Sequence, residues 1–285
     1  MTTTSALRAS LPSASSLIVV DARPAADYAV GHVPGAISLE WEEWCGAPPG
    51  EAAPVLFEPG YWGALREAPA SWWAESLSAK GLASHKPIVV YADSVVSKGR
   101  EGRIAWMLLY LGADDVALLD GGWQAWLEEG GAVEEGVGHM PTPAAFVVSF
   151  AMERRWTQGR TMEAYHQGRL PLLVDTRTLP EFEGDCYDYL PRKGRLPDSI
   201  LFPFAALFDG ERFFVGRDLY LSRLPEPMAA PTPYGKLTYC EVGVRASLAA
   251  LLHELYTGEG VGVFDGSLIE WALAADLPVV GPSYV

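Results

Sequence analysis

This chain of 285 residues is poor in cysteine, histidine and cationic side chains, and each scarcity narrows what it can be. Its three cysteines, Cys45, Cys186 and Cys240, are odd in number, far apart and never in a C-x-x-C pair. That pattern excludes a disulfide framework and a structural zinc site. The five histidines, His32, His85, His139, His166 and His253, show no H-E-x-x-H or comparable spacing, so no metal and no cofactor is expected. Only 21 Lys and Arg stand against 36 Asp and Glu, a formal net charge of -15. Such a surface repels a phosphate backbone and an anionic bilayer alike, which predicts neither a nucleic-acid nor a membrane partner. No apolar run approaches the roughly 18 residues of a membrane helix. The opening "MTTTSALRASLPSASSLIVVDAR" has no basic stretch leading into a long apolar core. A cytoplasmic location is the expectation.

What is present is core-forming material, 49% hydrophobic residues, and a pattern that occurs twice. "LIVVDARPAADYAVGHVPGAI" (17–37) is echoed by "PLLVDTRTLPEFEG...GRLPDSI" (171–200), "PIVVYAD" by "KLTYCEV", and "ALLDGGWQAW" by "GVFDGSLIEW". Three matches in one order, each offset by about 150 residues, indicate a duplicated domain and not a short-period solenoid. The division expected is a first domain over 1–134, a Gly- and Pro-punctuated linker over 135–145, and a second domain over 146–285. Short apolar runs without strict polar alternation ("LIVV", "PIVVY", "VALL") suit parallel strands buried on both faces. "GRIAWMLLYLG" and "ASLAALLHELY" carry apolar residues at helical intervals. Each copy is therefore expected to be α/β, a parallel sheet flanked by helices.

In such folds ligands gather at the carboxyl ends of the strands. Cys240 stands there, after the strand "KLTY" and before the helix "ASLAALLHELY", at the head of Glu241, Val242, Gly243, Val244 and Arg245. A loop turning from strand to helix can aim backbone N–H groups inward, and the helix N-terminus adds positive potential. Both favour an ionised, nucleophilic sulfur. Gly243 is the residue best able to take the curl, Arg245 supplies a fixed positive charge, and Ser247 in the first helical turn is expected to cap free N–H groups. Asp175 and Arg177 recur as Asp21 and Arg23, which favours an internal ion pair; they are supporting candidates.

The ordered set resembles the rhodanese family of sulfurtransferases: Asp-x-Arg, Gly-x-apolar-Pro, strand-Cys-x-x-Gly-x-Arg-helix, then Asp-Gly-Gly/Ser. Present twice, it looks like the tandem form, in which only the second domain carries the nucleophile. In the first copy Ala92 stands opposite Cys240 and Asp93 opposite Glu241, and "SVVSKGREG" holds no thiol. The resemblance implies two rhodanese-like domains, the first walling one side of a cleft. It also implies transfer of a sulfane sulfur from a small donor of the thiosulfate or 3-mercaptopyruvate type to cyanide or a thiol, through a Cys240 persulfide.

Two departures bear on the donor. Thiosulfate-using relatives have a basic residue after the cysteine and 3-mercaptopyruvate-using ones a glycine and a small hydroxyl residue, where this chain has Glu241 and Val242. Relatives carry a substrate-binding Arg where this chain has Glu181; Arg192, Lys193 and Arg195 are the cations nearby in sequence that could replace it. Weak thiosulfate activity is expected. Cys186 falls in the segment that lines the pocket in this family, which makes a redox partnership with Cys240 an alternative. Two rival functions remain: a silent rhodanese-like binding module, and a cysteine-dependent phosphatase or arsenate reductase. The four residues between Cys240 and Arg245 make a tighter cradle than the latter use.

Overall fold

The computed structural model describes residues 1–10, 17–138, 142–190 and 192–281. The middle of the expected linker, including His139, lies outside the described residues. The chain forms two compact units, and neither is a continuous half. The first comprises residues 1–43, 67–151 and 208–214; the second comprises 44–66, 152–207 and 215–285. Both are α/β. Among the described residues no helix is long and apolar enough to cross a membrane.

In the first unit β1 (Ile18–Asp21), β2 (Ile37–Ser38), β3 (Ile88–Tyr91) and β4 (Val116–Leu118) form an all-parallel sheet in the order β2-β1-β3-β4. Every residue of "IVVD" and "IVVY" is buried, as a sheet covered on both faces requires. Helices α1 (Thr4–Ser10), α2 (Ala25–Val30), α3 (Ala70–Ala79), α4 (Arg100–Tyr110) and α5 (Gly122–Glu128) accompany it. Nearly all of α4 is buried, which explains why "GRIAWMLLYLG" reads as apolar on more than one face.

The second unit repeats the arrangement with β5 (Arg155–Trp156), β6 (Leu172–Asp175) and β7 (Ile200–Leu201). It continues, past the short strands β8 (Phe208–Asp209) and β9 (Phe213–Phe214), with β10 (Lys236–Tyr239) and β11 (Gly262–Phe264). Its order β5-β11-β10-β6-β7, again all parallel, matches the first sheet strand for strand, with β5 added beside β11. The first copy keeps only a trace of that fifth strand, a parallel bridge from Thr2 to Leu119. Helices α6 (Gln158–His166), α7 (Leu179–Glu183), α8 (Arg217–Arg223), α9 (Glu226–Ala229), α10 (Val244–Thr257) and α11 (Ser267–Leu273) complete the unit.

The exchanged segments separate this fold from two beads in series. The antiparallel β8–β9 hairpin belongs to the first unit, where the Phe214 N–H donates to Asp120 Oδ1 at 2.9 Å. The arm 44–66 belongs to the second, where the Leu65 N–H donates to Asp265 Oδ2 at 2.8 Å. Asp120 and Asp265 are the equivalent residues of the two Asp-Gly turns. Each unit thus captures a backbone from the other half of the chain with the same carboxylate. Composition and periodicity carry no trace of this, because it depends on contacts between segments remote in sequence.

Candidate active site

Cys240 follows β10 directly, and its side chain is buried. Three contacts fix it. Its own N–H donates to Ser267 Oγ at 3.1 Å, its carbonyl accepts from the Leu268 N–H at 3.2 Å, and the Gly243 N–H points at its Sγ from 3.1 Å. Gly243 sits at φ +81°, as the N-cap of the 14-residue α10. A Cβ there would stand 2.3 Å from the Asp265 carbonyl oxygen, so both backbone conformation and space demand glycine. The sulfur therefore faces an N–H at the positive end of a long helix. Val242 and Val244 are buried beside it.

Ser267 escaped sequence reasoning. It is fully buried with φ +55°, a conformation unfavourable for a residue with a Cβ, and its hydroxyl donates to the Phe264 carbonyl at 2.7 Å while accepting from Cys240. The signal available was the change from "DGG" in the first copy to "DGS" in the second. The arm escaped as well. Gly63 lies so close that a Cβ would stand 1.7 Å from the Val242 carbonyl oxygen, and Arg155 clamps the arm by bonding both Asp265 Oδ2 and the Leu65 carbonyl at 2.8 Å.

Arg245 turns its charge toward Glu181. Its Nη1 and Nη2 donate to Glu181 Oε2 and Oε1 at 2.9 and 2.8 Å, and Nη2 also donates to Tyr187 Oη at 3.0 Å. Glu241 lies 3.8 Å from the same guanidinium, and the Tyr189 hydroxyl donates to Glu241. Burial alone would lower the Arg245 pKa, but the Glu181 hydrogen bonds and the nearby acidic groups of Cys240, Glu181 and Glu241 raise it above its ordinary value. Burial likewise works to raise Glu181, and the Arg245 bonds and charge overcome it, taking its pKa down to about 2. Glu181 Oε2 also accepts from the Thr178 N–H and hydroxyl at 2.6 and 2.7 Å, the capping box that starts α7.

Ser247 does not cap N–H groups; it stands four residues past the N-cap Gly243, where its hydroxyl reaches back and donates to the Gly243 carbonyl at 2.7 Å. Asp175 and Arg177 form a buried pair, Nη2 to Oδ2 2.6 Å, with Arg177 also bonding the Gly194 carbonyl. The guanidinium of Arg195 lies over the Phe182 ring, 4.5 Å from its centroid. His32 stacks on Tyr28 at the equivalent place in the first copy. Arg192 holds the carbonyls of Trp271, Ala272, Ala274 and Leu277, and Lys193 pairs with Asp188. Arg192, Lys193 and Arg195 are thus engaged with a helix end, a surface carboxylate and an aromatic ring. Cys186 is half-buried and Cys45 is buried. Among the described residues no cluster of His, Cys, Asp or Glu could hold a metal ion.

Comparison with known proteins shows what the chain is similar to. The Rhodanese-like domain matches residues 3–129, the half whose loop has Ala92 in place of a cysteine. Over 272 residues the chain is 30% identical to a thiosulfate sulfurtransferase of Azotobacter vinelandii, covering 94% of this chain and 92% of that protein. It is 26% identical over 284 residues to thiosulfate/3-mercaptopyruvate sulfurtransferase 2 of Arabidopsis thaliana, covering 91% and 78%. Its fold matches that of the anaerobic ergothioneine biosynthesis enzyme of Chlorobium limicola, solved with trimethyl histidine, at a TM-score of 0.78 and 20% identity. That match spans 99% of this chain and 70% of the other.

Proposed function

This chain belongs to the rhodanese family of sulfurtransferases, and we propose that it carries sulfur as a persulfide on Cys240. The observation that carries the reading is the Gly243 N–H, 3.1 Å from Sγ at the start of α10. An N–H donor and a helix N-terminus together favour negative charge on the sulfur and, after transfer, on the persulfide.

The cycle is a double displacement. The Cys240 thiolate attacks the outer sulfur of a small donor of the thiosulfate or 3-mercaptopyruvate type; a new S–S bond forms, the donor's bond to that sulfur breaks, and the remainder leaves with the electron pair. A thiophilic acceptor, cyanide or a thiolate, then attacks the outer persulfide sulfur and releases the Cys240 thiolate. Gly243 keeps the loop curled, Ser267 and the Leu268 N–H hold the cysteine backbone, and Val242 and Val244 keep water from the sulfur. Asp175 and Arg177 fix the strand end beneath. Arg245, already tied to Glu181, is poorly placed to hold a phosphoryl group, which counts against a phosphatase role.

Intact-mass analysis after incubation with thiosulfate or 3-mercaptopyruvate tests the reading. A gain of one sulfur that disappears in Cys240→Ala is expected, with thiosulfate the slower donor. A folded protein that takes sulfur from neither, and whose Cys240 alkylates no faster than a free model thiol, favours the silent binding module.

A further inference from the structure

The contacts of Arg245 carry a consequence for the donor. When thiosulfate gives up its outer sulfur, sulfite leaves with two negative charges, and a nearby guanidinium is the natural group to neutralise them. Arg245 is the cation of the Cys240 loop, and both of its terminal nitrogens are spent on Glu181, with Tyr187 on one of them. Glu181 cannot swing aside cheaply. Two Thr178 bonds hold it at the first turn of α7, and four hydrogen bonds in all would have to be broken or remade. Tyr187 holds its place from a left-handed backbone, φ +67°, unusual for an aromatic residue. Glu241 adds a second carboxylate 3.8 Å from the same guanidinium, so two negative charges face one positive charge beside the sulfur.

We propose that Glu181 sets the donor preference: held as the internal counter-ion of Arg245, it disfavours the small oxyanion donor thiosulfate relative to organic persulfides that carry no acidic headgroup. This rests on the persulfide reading of Cys240. With such a donor the Cys240 thiolate attacks the outer sulfur of R–S–SH. The donor's S–S bond breaks, the Cys240 S–S bond forms, and R–S⁻ departs with the electron pair and takes its proton from water. No oxidant or reductant is consumed, and the leaving group bears one negative charge in place of two. Arg195 does not restore the missing cation, since its guanidinium occupies the place over an aromatic ring that His32 takes in the copy without a nucleophile.

The test compares cysteamine persulfide with thiosulfate as donors to the full chain, reading the rate of sulfur gain on Cys240 by intact mass. Wild type should load from the persulfide about tenfold or more faster than from thiosulfate, the scale of a lost charge-assisted contact. Glu181→Gln keeps the length and capping geometry of the side chain and frees the guanidinium. It should raise the ratio of the thiosulfate rate to the persulfide rate about ten- to a hundredfold. Equal rates in wild type, or a ratio unmoved in a folded Glu181→Gln, overturn the proposal. Should the variant fail to fold, wild type alone decides: sulfate should not protect Cys240 from alkylation, and protection means that Arg245 is open to oxyanions and Glu181 is no barrier. Loading from neither donor removes the persulfide reading itself and this inference with it.

Discussion

After β3 the first unit turns on Ala92, and after β10 the second turns on Cys240, yet the frameworks beneath the two turns make the same contacts. Arg23 grips Asp21 with its Nη2 at 2.6 Å and the Gly31 carbonyl at 2.6 Å; Arg177 grips Asp175 at 2.6 Å and the Gly194 carbonyl at 2.8 Å. Tyr91 accepts the Val33 N–H and Tyr239 the Leu196 N–H through their hydroxyls. The first residue of each turn is tied in the same manner, Trp123 N–H to the Ala92 carbonyl and Leu268 N–H to that of Cys240. What both copies keep is therefore scaffold. What only the second has, a thiol, a four-residue loop, Ser267 and the Glu181–Arg245 pair, is where chemistry is to be sought. The first copy fills the same place with a short 3₁₀ turn, Ser94–Ser97, and two left-handed residues, Lys98 and Gly99.

Removing the shared pair should cost the most stability. Asp21→Ala and Asp175→Ala each strand a buried guanidinium and should each cost about 3–5 kcal/mol in denaturant unfolding, with similar losses in the two copies. A variant of Asp175 that kept its stability and lost sulfur uptake would show that the second pair is part of the chemistry.

Much of this was legible in the sequence, and for physical reasons. The buried parallel strands, the helix after Cys240, the Asp-x-Arg ion pairs and the glycine at 243 all follow from local rules about apolar runs, backbone sterics and repeated spacing. The Arg245–Glu181 pair was not legible, because α7 and α10 meet only in the folded unit and an arginine in a loop is equally consistent with a free or a paired charge. Nor were the exchanged arm 44–66 and hairpin 208–214, whose attachment rests on contacts between segments remote in sequence, among them the Leu65 and Phe214 N–H groups that Asp265 and Asp120 accept. Ser267 lay between: the Gly-to-Ser change was visible, its left-handed backbone was not.

The two copies should also answer pH in opposite senses. Burial, only partly offset by the Ser97 hydroxyl at 2.7 Å, lifts the Glu101 pKa from 4.5 to about 7. The folded state then binds that proton more tightly than the unfolded chain. Its contribution is greatest below pH 4.5 and declines as pH rises toward about 7. Glu181, lowered from 4.5 to about 2, behaves in reverse: its contribution is complete above pH 4.5 and is lost as pH falls toward about 2. Each limb is worth at most about 3 kcal/mol. Glu101→Gln should flatten the neutral limb of the stability curve and leave the acid limb, and Glu181→Gln should do the converse. A limb that survives its own substitution assigns the titration to another group.

The smallest effect on stability is expected where the two copies differ by one hydroxymethyl group. Gly122 occupies its left-handed position, φ +57°, with its would-be Cβ 2.1 Å from the Ala92 carbonyl oxygen; Ser267 accepts the same region of backbone space, φ +55°, with a Cβ. The strain persists in the copy with the thiol, where the Ser267 hydroxyl holds the Cys240 N–H and hands on a bond to the Phe264 carbonyl. Ser267→Gly relieves the backbone and removes the anchor, so the two consequences oppose each other in stability and the net change should stay within about 1 kcal/mol. In reactivity they do not oppose. A looser Cys240 backbone lets Sγ drift from the Gly243 N–H, and alkylation at neutral pH should slow about three- to tenfold, one lost hydrogen bond's worth. Ser267→Ala keeps the strain and loses the bond, and should be less stable than Ser267→Gly while alkylating as slowly. An alkylation rate unchanged in both would mean that the serine supports the turn alone, as glycine does in the first copy, and has no hold on the sulfur.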